Sequence, residues 1–383
     1  MSYTPPSDFA IVALALAGCG PVLHAFAASR LDFHFRQAAR DETADTPPLT
    51  LWRALKSGVP RLDAKLDALV QASRPGDQIL IGVDAGSEEE SACAALCGRH
   101  SERNIIIVPC EPGRAPNPKI SKFLQMAPFA AHADWLLTDS EAMPDVEFLE
   151  GFRREWTASG ASAQTAGYRF ANLQNAPQVL DAAPALLTLW PGLMLAGRID
   201  FTLGACTGIR AADLLAIGGW AAVAGELAED QRLGALLVQA GRTIRLSRHV
   251  LTLDSDPLDW PGYLRHQHRV AVTYRATAPA GALGLPILHT TALAALASVL
   301  DSRWWMIAAL IVTLRIASAA AVSRLLKFPI PLLPITAVVS SVVETALWLC
   351  AWFSPSVWWA GRWRRVGWRG CLDDGASAPR GRV

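Results

Sequence analysis

The sequence predicts an α/β domain with transmembrane helices on its N-terminal and C-terminal sides. Three observations predict it. Between residues 48 and 275, short apolar runs ending in acids alternate with helical stretches, the pattern of a largely parallel sheet covered on both faces. Long apolar runs flank that region on both sides. The composition is 51% hydrophobic and 18% charged, with mean hydropathy +0.24, which is too apolar for an ordinary soluble domain.

The elements follow in chain order. Residues 9–28 carry no charge and are long enough to span a bilayer, so residues 1–30 read as an N-terminal transmembrane helix. A secretory signal peptide is the alternative, but no basic segment precedes the run and no A-x-A site follows it. Arg30, Arg36 and Arg40 come after the run and place the next domain in the cytoplasm, which implies a multi-pass protein of the inner (cytoplasmic) membrane. Leu49 to Trp52 forms a first short strand and Asp77 to Asp84 a clearer second one. A helix follows from about Ser87 to Arg99. Asn104 to Val108 and Trp135 to Thr138 supply two more strands. Sites in such sheets form at the carboxyl ends of the strands, where Asp84 and Asp139 fall.

Beyond the domain at 48–275, with its interfacial segment at 258–275, membrane segments occupy 283–355 as runs at 283–300, 304–323 and 329–353. Arg315 and Glu344 interrupt the last two and read as a buried structural pair. Three crossings would put Arg362-Trp363-Arg364-Arg365 outside, against the positive-inside rule. Two crossings with a re-entrant or interfacial 283–300 fit the charges better. Seven of the 14 tryptophans lie between 304 and 363, as rings at a membrane interface do. The segment 371–383 reads as a disordered tail. The seven cysteines form no C-x-x-C pair and read as reduced thiols. A net charge of +1 gives no reason to invoke nucleic acid.

The chemistry-bearing residues begin with Asn117-Pro118-Lys119. They continue with Ala133 to Glu141, a buried strand running into Asp139-Ser140-Glu141. Two carboxylates at a strand tip suit hard cations such as Mg²⁺ or Mn²⁺, usually shared with a substrate's phosphates. Alone, so short a pattern also arises by chance. Glu229-Asp230 opens a helix; the acids either complement its dipole or supply a general base. Leu258 to Val270 is basic and amphipathic, and either lies on a membrane surface or closes over a diphosphate.

The order of these features resembles the ceramide-glucosyltransferase-like family of inverting glycosyltransferases with the GT-A (nucleotide-diphospho-sugar transferase) fold. It is closest to hopanoid-biosynthesis glycosyltransferases of the HpnI type. The matched positions are Asp84 after the second strand, Asn117 and Lys119 as N-x-K, Asp139-Ser140-Glu141 as the D-S-D motif, and Leu227-Ala228-Glu229-Asp230 as L-A-[DE]-D. His266 and Arg269 partly match the closing [Q/R/H]-x-x-R-W motif. Leu203 to Arg210 with Ile217 to Trp220 resembles the acceptor-side segment.

The resemblance implies a nucleotide-sugar donor, most closely UDP-GlcNAc, and a membrane-lipid acceptor, bacteriohopanetetrol. It implies Asp84 at the uridine, Asp139 and Glu141 at Mg²⁺ or Mn²⁺, Asn117, Lys119, His266 and Arg269 at the donor, and Asp230 as base. Glu141 stands where Asp is usual and Val270 where Trp is usual. Ceramide or another lipid as acceptor, a weakened nucleotide-sugar-binding scaffold and a transporter stay open as alternatives.

Overall fold

The computed structural model describes residues 7–37 and 45–373. Arg40 and the segment 374–383 lie outside the described residues. In chain order the elements are α1 (Asp8–Arg36), β1 (Thr50–Ala54), α2 (Leu62–Ala72), β2 (Gln78–Asp84), α3 (Glu88–Arg99), β3 (Asn104–Cys110), α4 (Pro118–Met126) and β4 (Asp134–Thr138). They continue with α5 (Val146–Ser159), β5 (Ala163–Thr165), β6 (Tyr168–Ala171), α6 (Ala176–Pro184), α7 (Trp190–Ala196), β7 (Cys206–Arg210), α8 (Ala211–Ala216) and α9 (Glu229–Gln239). The rest are β8 (Ile244–Leu246), β9 (Leu251–Asp254), α10 (Trp260–Thr277), α11 (Pro279–Gly284), α12 (Thr290–Leu300), α13 (Trp305–Leu325), α14 (Leu333–Phe353), β10 (Ser356–Trp359), β11 (Arg362–Val366) and β12 (Leu372–Asp373).

The described residues form two compact units: 45–172, 198–257 and 359–373 in one; 7–37, 173–197 and 258–358 in the other. The first is built on a seven-stranded sheet of order β3-β2-β1-β4-β7-β5-β8. Strands β3, β2, β1 and β4 run parallel, and β7 is antiparallel to β4 and β5. Alternation along the strands fills two cores, one on each face. Leu51, Ile79, Ile81 and Leu136 bury into one, and Trp52, Leu80, Trp135 and Leu137 into the other. At the opposite edge from the strand tips, Arg153 of α5 makes a fully buried fork on Asp77, with contacts of 2.6 and 2.8 Å. Because β1, β2 and β4 are parallel neighbours, Lys56, Asp84 and Asp139 leave the sheet on one side.

In the second unit, Asp8–Arg36, Ala176–Ala196, Ser302–Leu325 and Leu333–Phe353 are each long and apolar enough to cross a membrane. Pro279–Ile287 and Thr290–Leu300 form a pair bent by 59°, the geometry of a broken span or of a re-entrant loop. Two segments read from sequence as part of the α/β domain, 173–197 and 258–275, pack within this apolar unit instead. Their own side chains explain it: Leu180, Leu186, Leu187 and Trp190 are buried, and Arg275 of α10 donates to the carbonyl of Ala351 at the end of α14 (2.7 Å). Arg315 and Glu344 both face the interior, but with separate partners. Arg315 meets His24 (3.0 Å) and the Leu187 carbonyl (2.9 Å), whereas Glu344 accepts from Thr188 (3.1 Å) and Ser340. A π-helical turn at Ala185–Leu189 accompanies the shared Leu187 carbonyl.

The disordered-tail expectation fails at its start. Cys371 makes a bridge to Glu226, and β12 pairs antiparallel with β11. All seven cysteines are free thiols, as read from sequence.

Candidate active site

The site grows from three strand ends and two helix starts. Asp84 closes β2; its carboxylate accepts from Ser57 (3.0 Å) and pairs with Lys122 of α4 (2.8 Å). Lys122 also donates to the Leu55 carbonyl at 2.7 Å, which ties α4 to the end of β1. Helix α4 begins where it does because Asn117 caps it and Pro118 takes its first position. The Asn117 side-chain oxygen accepts from the Lys119 and Ile120 amides. Its amide nitrogen donates to Glu226 O and Glu229 Oε2, each at 3.0 Å.

One turn of α4 separates Lys119 from Lys122, so both ammoniums project on the same side. Lys119 Nζ lies 2.6 Å from Asp139 Oδ1, 3.2 Å from Glu229 Oε1 and 3.1 Å from the Gly204 carbonyl. Burial opposes the charged form of Lys119, but Asp139, Glu229 and Asp230 outweigh it and raise its pKa.

Asp230 occupies the first turn of α9. Its carboxylate accepts from the Gly204 amide (2.7 Å) and the Gln231 amide (2.8 Å). Burial, then the neighbouring Glu229 charge, pushes its pKa up to about 6 against the pull of Lys119 and the two amides. Glu141 pairs with Lys56. Burial raises the Glu141 pKa, with Asp256 adding to it and Lys56 opposing it. Lys56 also meets Asp256 at 2.6 Å, and Asp256 meets Lys65 at 2.8 Å.

Of the residues singled out from sequence, Asp84, Asn117, Lys119, Asp139, Glu141 and Asp230 all belong to the sheet unit. Asn117, Lys119, Asp139 and Asp230 share one network through Glu229 and Gly204. His266 and Arg269 belong to the apolar unit. There His266 Nδ1 lies 2.6 Å from Asp181, which also accepts from Gln267 at 2.8 Å.

Sequence reasoning missed Lys56, Lys122, Gly204 and Asp256 as parts of the site, and took Glu229 only as one acid of the helix start. The lysines carried a weak signal: Lys122 stands three residues after Lys119, and Lys56 two after a strand. Gly204 carried none, since it acts through its backbone amide. The oxygen donors of Asp139 and Glu141 stand two residues apart after β4, with side chains 39% and 29% exposed. Each is paired with an ammonium, Asp139 with Lys119 and Glu141 with Lys56, and among the described residues no group of three or more His, Cys, Asp or Glu gathers to hold a metal ion.

No curated protein matches the chain. A mannosyltransferase from Pyrobaculum calidifontis, solved with GDP-Man and Mn²⁺, is 16% identical, covers 88% of this chain and 99% of its own, and has a TM-score of 0.49. TarS 1–349 from S. aureus, solved with UDP-GlcNAc, is 12% identical, covers 83% of this chain and 96% of its own, and has a TM-score of 0.39. The family model for glycosyl transferase family 21 matches residues 11–372, from the first apolar helix through the α/β fold to the final strand, and the chain is therefore a glycosyltransferase of that family.

Proposed function

We propose that this glycosyltransferase is embedded in the inner (cytoplasmic) membrane with its α/β unit facing the cytoplasm. It moves N-acetylglucosamine from UDP-GlcNAc to the hydroxyl of a lipid, bacteriohopanetetrol, with inversion. The observation that carries the reading is the position of Asp230: a partly buried carboxylate with a pKa near 6, aimed by two backbone amides, beside the Lys119 ammonium. A base poised there is ionised at neutral pH yet still draws a proton. Asp230 takes the proton of the acceptor hydroxyl as that oxygen attacks the anomeric carbon. The bond to the diphosphate breaks with its electron pair, and UDP leaves from the opposite face.

Lys119 supplies positive charge for the diphosphate, and Asp84 with Ser57 and Lys122 forms the polar cradle for the uridine. Asp139 and Glu141 would hold Mg²⁺ or Mn²⁺, which offsets charge on the leaving diphosphate when bound. Four helices of membrane-spanning length support a lipid acceptor and integral membrane placement. Arg30 and Arg36 after the first of them support the cytoplasmic orientation. Confining both partners to one bilayer raises their effective concentration.

The test is transfer of label from UDP-GlcNAc by the purified protein in detergent. It is offered bacteriohopanetetrol or ceramide, with Mg²⁺ or EDTA, beside D230A. Labelled hopanoid, lost with EDTA and with D230A, supports the reading. Transfer to ceramide alone moves it to a ceramide-type enzyme, and unimpaired transfer by D230A removes Asp230 as base.

A further inference from the structure

We propose that the C-terminal segment Arg362–Leu372 is a positioning element of the active site, and that Arg364 is its principal side chain. The inference rests on the reading of Asp230 as base and Lys119 as donor cation. Two segments lead into the helix starts that carry those residues, 113–117 into α4 and 224–228 into α9, and they meet at Asn117. The Asn117 amide donates to Ala224 O at 3.0 Å, and its side chain donates to Glu226 O at 3.0 Å.

The C-terminal segment holds the same two loops. Arg364, 9% exposed, donates through Nη1 to the Pro116 carbonyl at 2.9 Å, one residue before the Asn117 cap. Its guanidinium lies 5.6 Å from the Trp359 ring centroid. After β11 the chain turns through Arg369 and Gly370, both at positive φ (63° and 86°), and comes back as β12. The Leu227 amide then donates to Gly370 O at 2.9 Å, and the Leu372 amide donates to Gly225 O at 2.7 Å.

The 224–227 backbone is therefore held from two sides. Asn117 takes the carbonyls of Ala224 and Glu226, while the C-terminal strand takes the Gly225 carbonyl and the Leu227 amide. Glu229 and Asp230 follow directly. The helix they open has no side-chain cap at Ala228, so its entry angle depends on these main-chain bonds. Freeing a segment that contains Gly225 restores backbone entropy and blurs the position of the base.

The test uses the full-length protein in detergent with R364A, R364K and D230N. Three readouts are hydrogen exchange of the Asn117 and Leu227 amides, kcat against KM with UDP-GlcNAc and bacteriohopanetetrol, and the pH profile of kcat. In R364A both amides exchange at least about tenfold faster, because a locally held segment has been released. Misplacing the base lowers kcat roughly tenfold to a hundredfold, with little change in KM for the donor. The acid limb moves to lower pH as water reaches Asp230. R364K, which still donates to a carbonyl, recovers most of both effects. Where R364A does not accumulate, Leu372→Pro removes the Leu372 amide that donates to Gly225 O and is read the same way. Unchanged exchange and unchanged kcat in R364A or L372P overturn the proposal. Wild-type kcat in D230N overturns the base reading alone, and the exchange data still decide whether the segment holds the loops.

Discussion

The backbone amide of Gly204 donates to Asp230 Oδ2 at 2.7 Å, so main chain rather than a side chain aims this carboxylate. A Cβ at Gly204 would stand 3.2 Å from that oxygen and 3.6 Å from Lys119 Nζ. Gly204→Ala therefore displaces the carboxylate without removing any charge. The expected result is a fall in kcat of roughly tenfold to a hundredfold. UDP affinity, read by titration calorimetry, stays near wild type. An alanine variant with full kcat would show that the site accommodates the added methyl without moving the base.

Removing the base itself has a larger effect. General base catalysis contributes about 10²–10⁴-fold, and D230N is expected to lose activity in that range while the fold, followed by circular dichroism, is retained. Asp230 acts deprotonated, so kcat in the wild type rises as pH passes upward through about 6 and is lost below it.

Two neighbours shift that limb in opposite directions. The Glu229 charge raises the Asp230 pKa, so E229Q moves the limb to lower pH. Lys119 lowers it, so K119M moves the limb to higher pH, with reduced donor binding as well. A pH–kcat series on the three proteins checks both signs at once. Shifts in the same direction would contradict the arrangement.

Metal dependence follows from the two carboxylates after β4. In wild-type protein Mn²⁺ is expected to tighten UDP binding, and EDTA to reverse the gain. D139N and E141Q lose that Mn²⁺ response, since each removes a charged oxygen donor. Calorimetric UDP titrations with and without Mn²⁺ measure it directly. A full response in both variants would place the metal elsewhere.

The Arg153–Asp77 fork sets an acid limit on stability. Burial would raise the Asp77 pKa, but the Arg153 hydrogen bonds and the Leu49 amide outweigh it and hold it below its ordinary 3.8. A carboxyl depressed in the folded state contributes stability above its unfolded pKa, and that contribution is lost as pH falls through the folded value. R153M leaves Asp77 charged and buried, and is expected to cost about 3–5 kcal/mol. Thermal melts of wild type and R153M between neutral pH and pH 3 test both points, because the difference between the two shrinks as Asp77 protonates.

Much of this protein is legible locally. Strand periodicity and an acid at each tip placed Asp84 and Asp139, and the helical pattern after Glu229 placed Asp230 on a first turn. The apolar runs located the spans at 8–36, 302–325 and 333–353, since hydropathy depends only on neighbouring residues. The span Ala176–Ala196 escaped because Asp181, Pro184 and Pro191 break its apolar pattern.

What the sequence by itself determined is therefore the set of elements and the acids at their ends, because both arise from periodicities a few residues long. What only the tertiary structure decided is which charges meet. Lys56 with Glu141, Lys122 with Asp84, the Gly204 amide on Asp230, and the last strand on the Gly225–Leu227 loop all join residues from about 26 to nearly 150 positions apart. Such pairings follow from strand order and loop path, which no local pattern encodes. The placement of 173–197 and 258–275 with the apolar helices has the same cause: each segment is assigned by the partners it buries against.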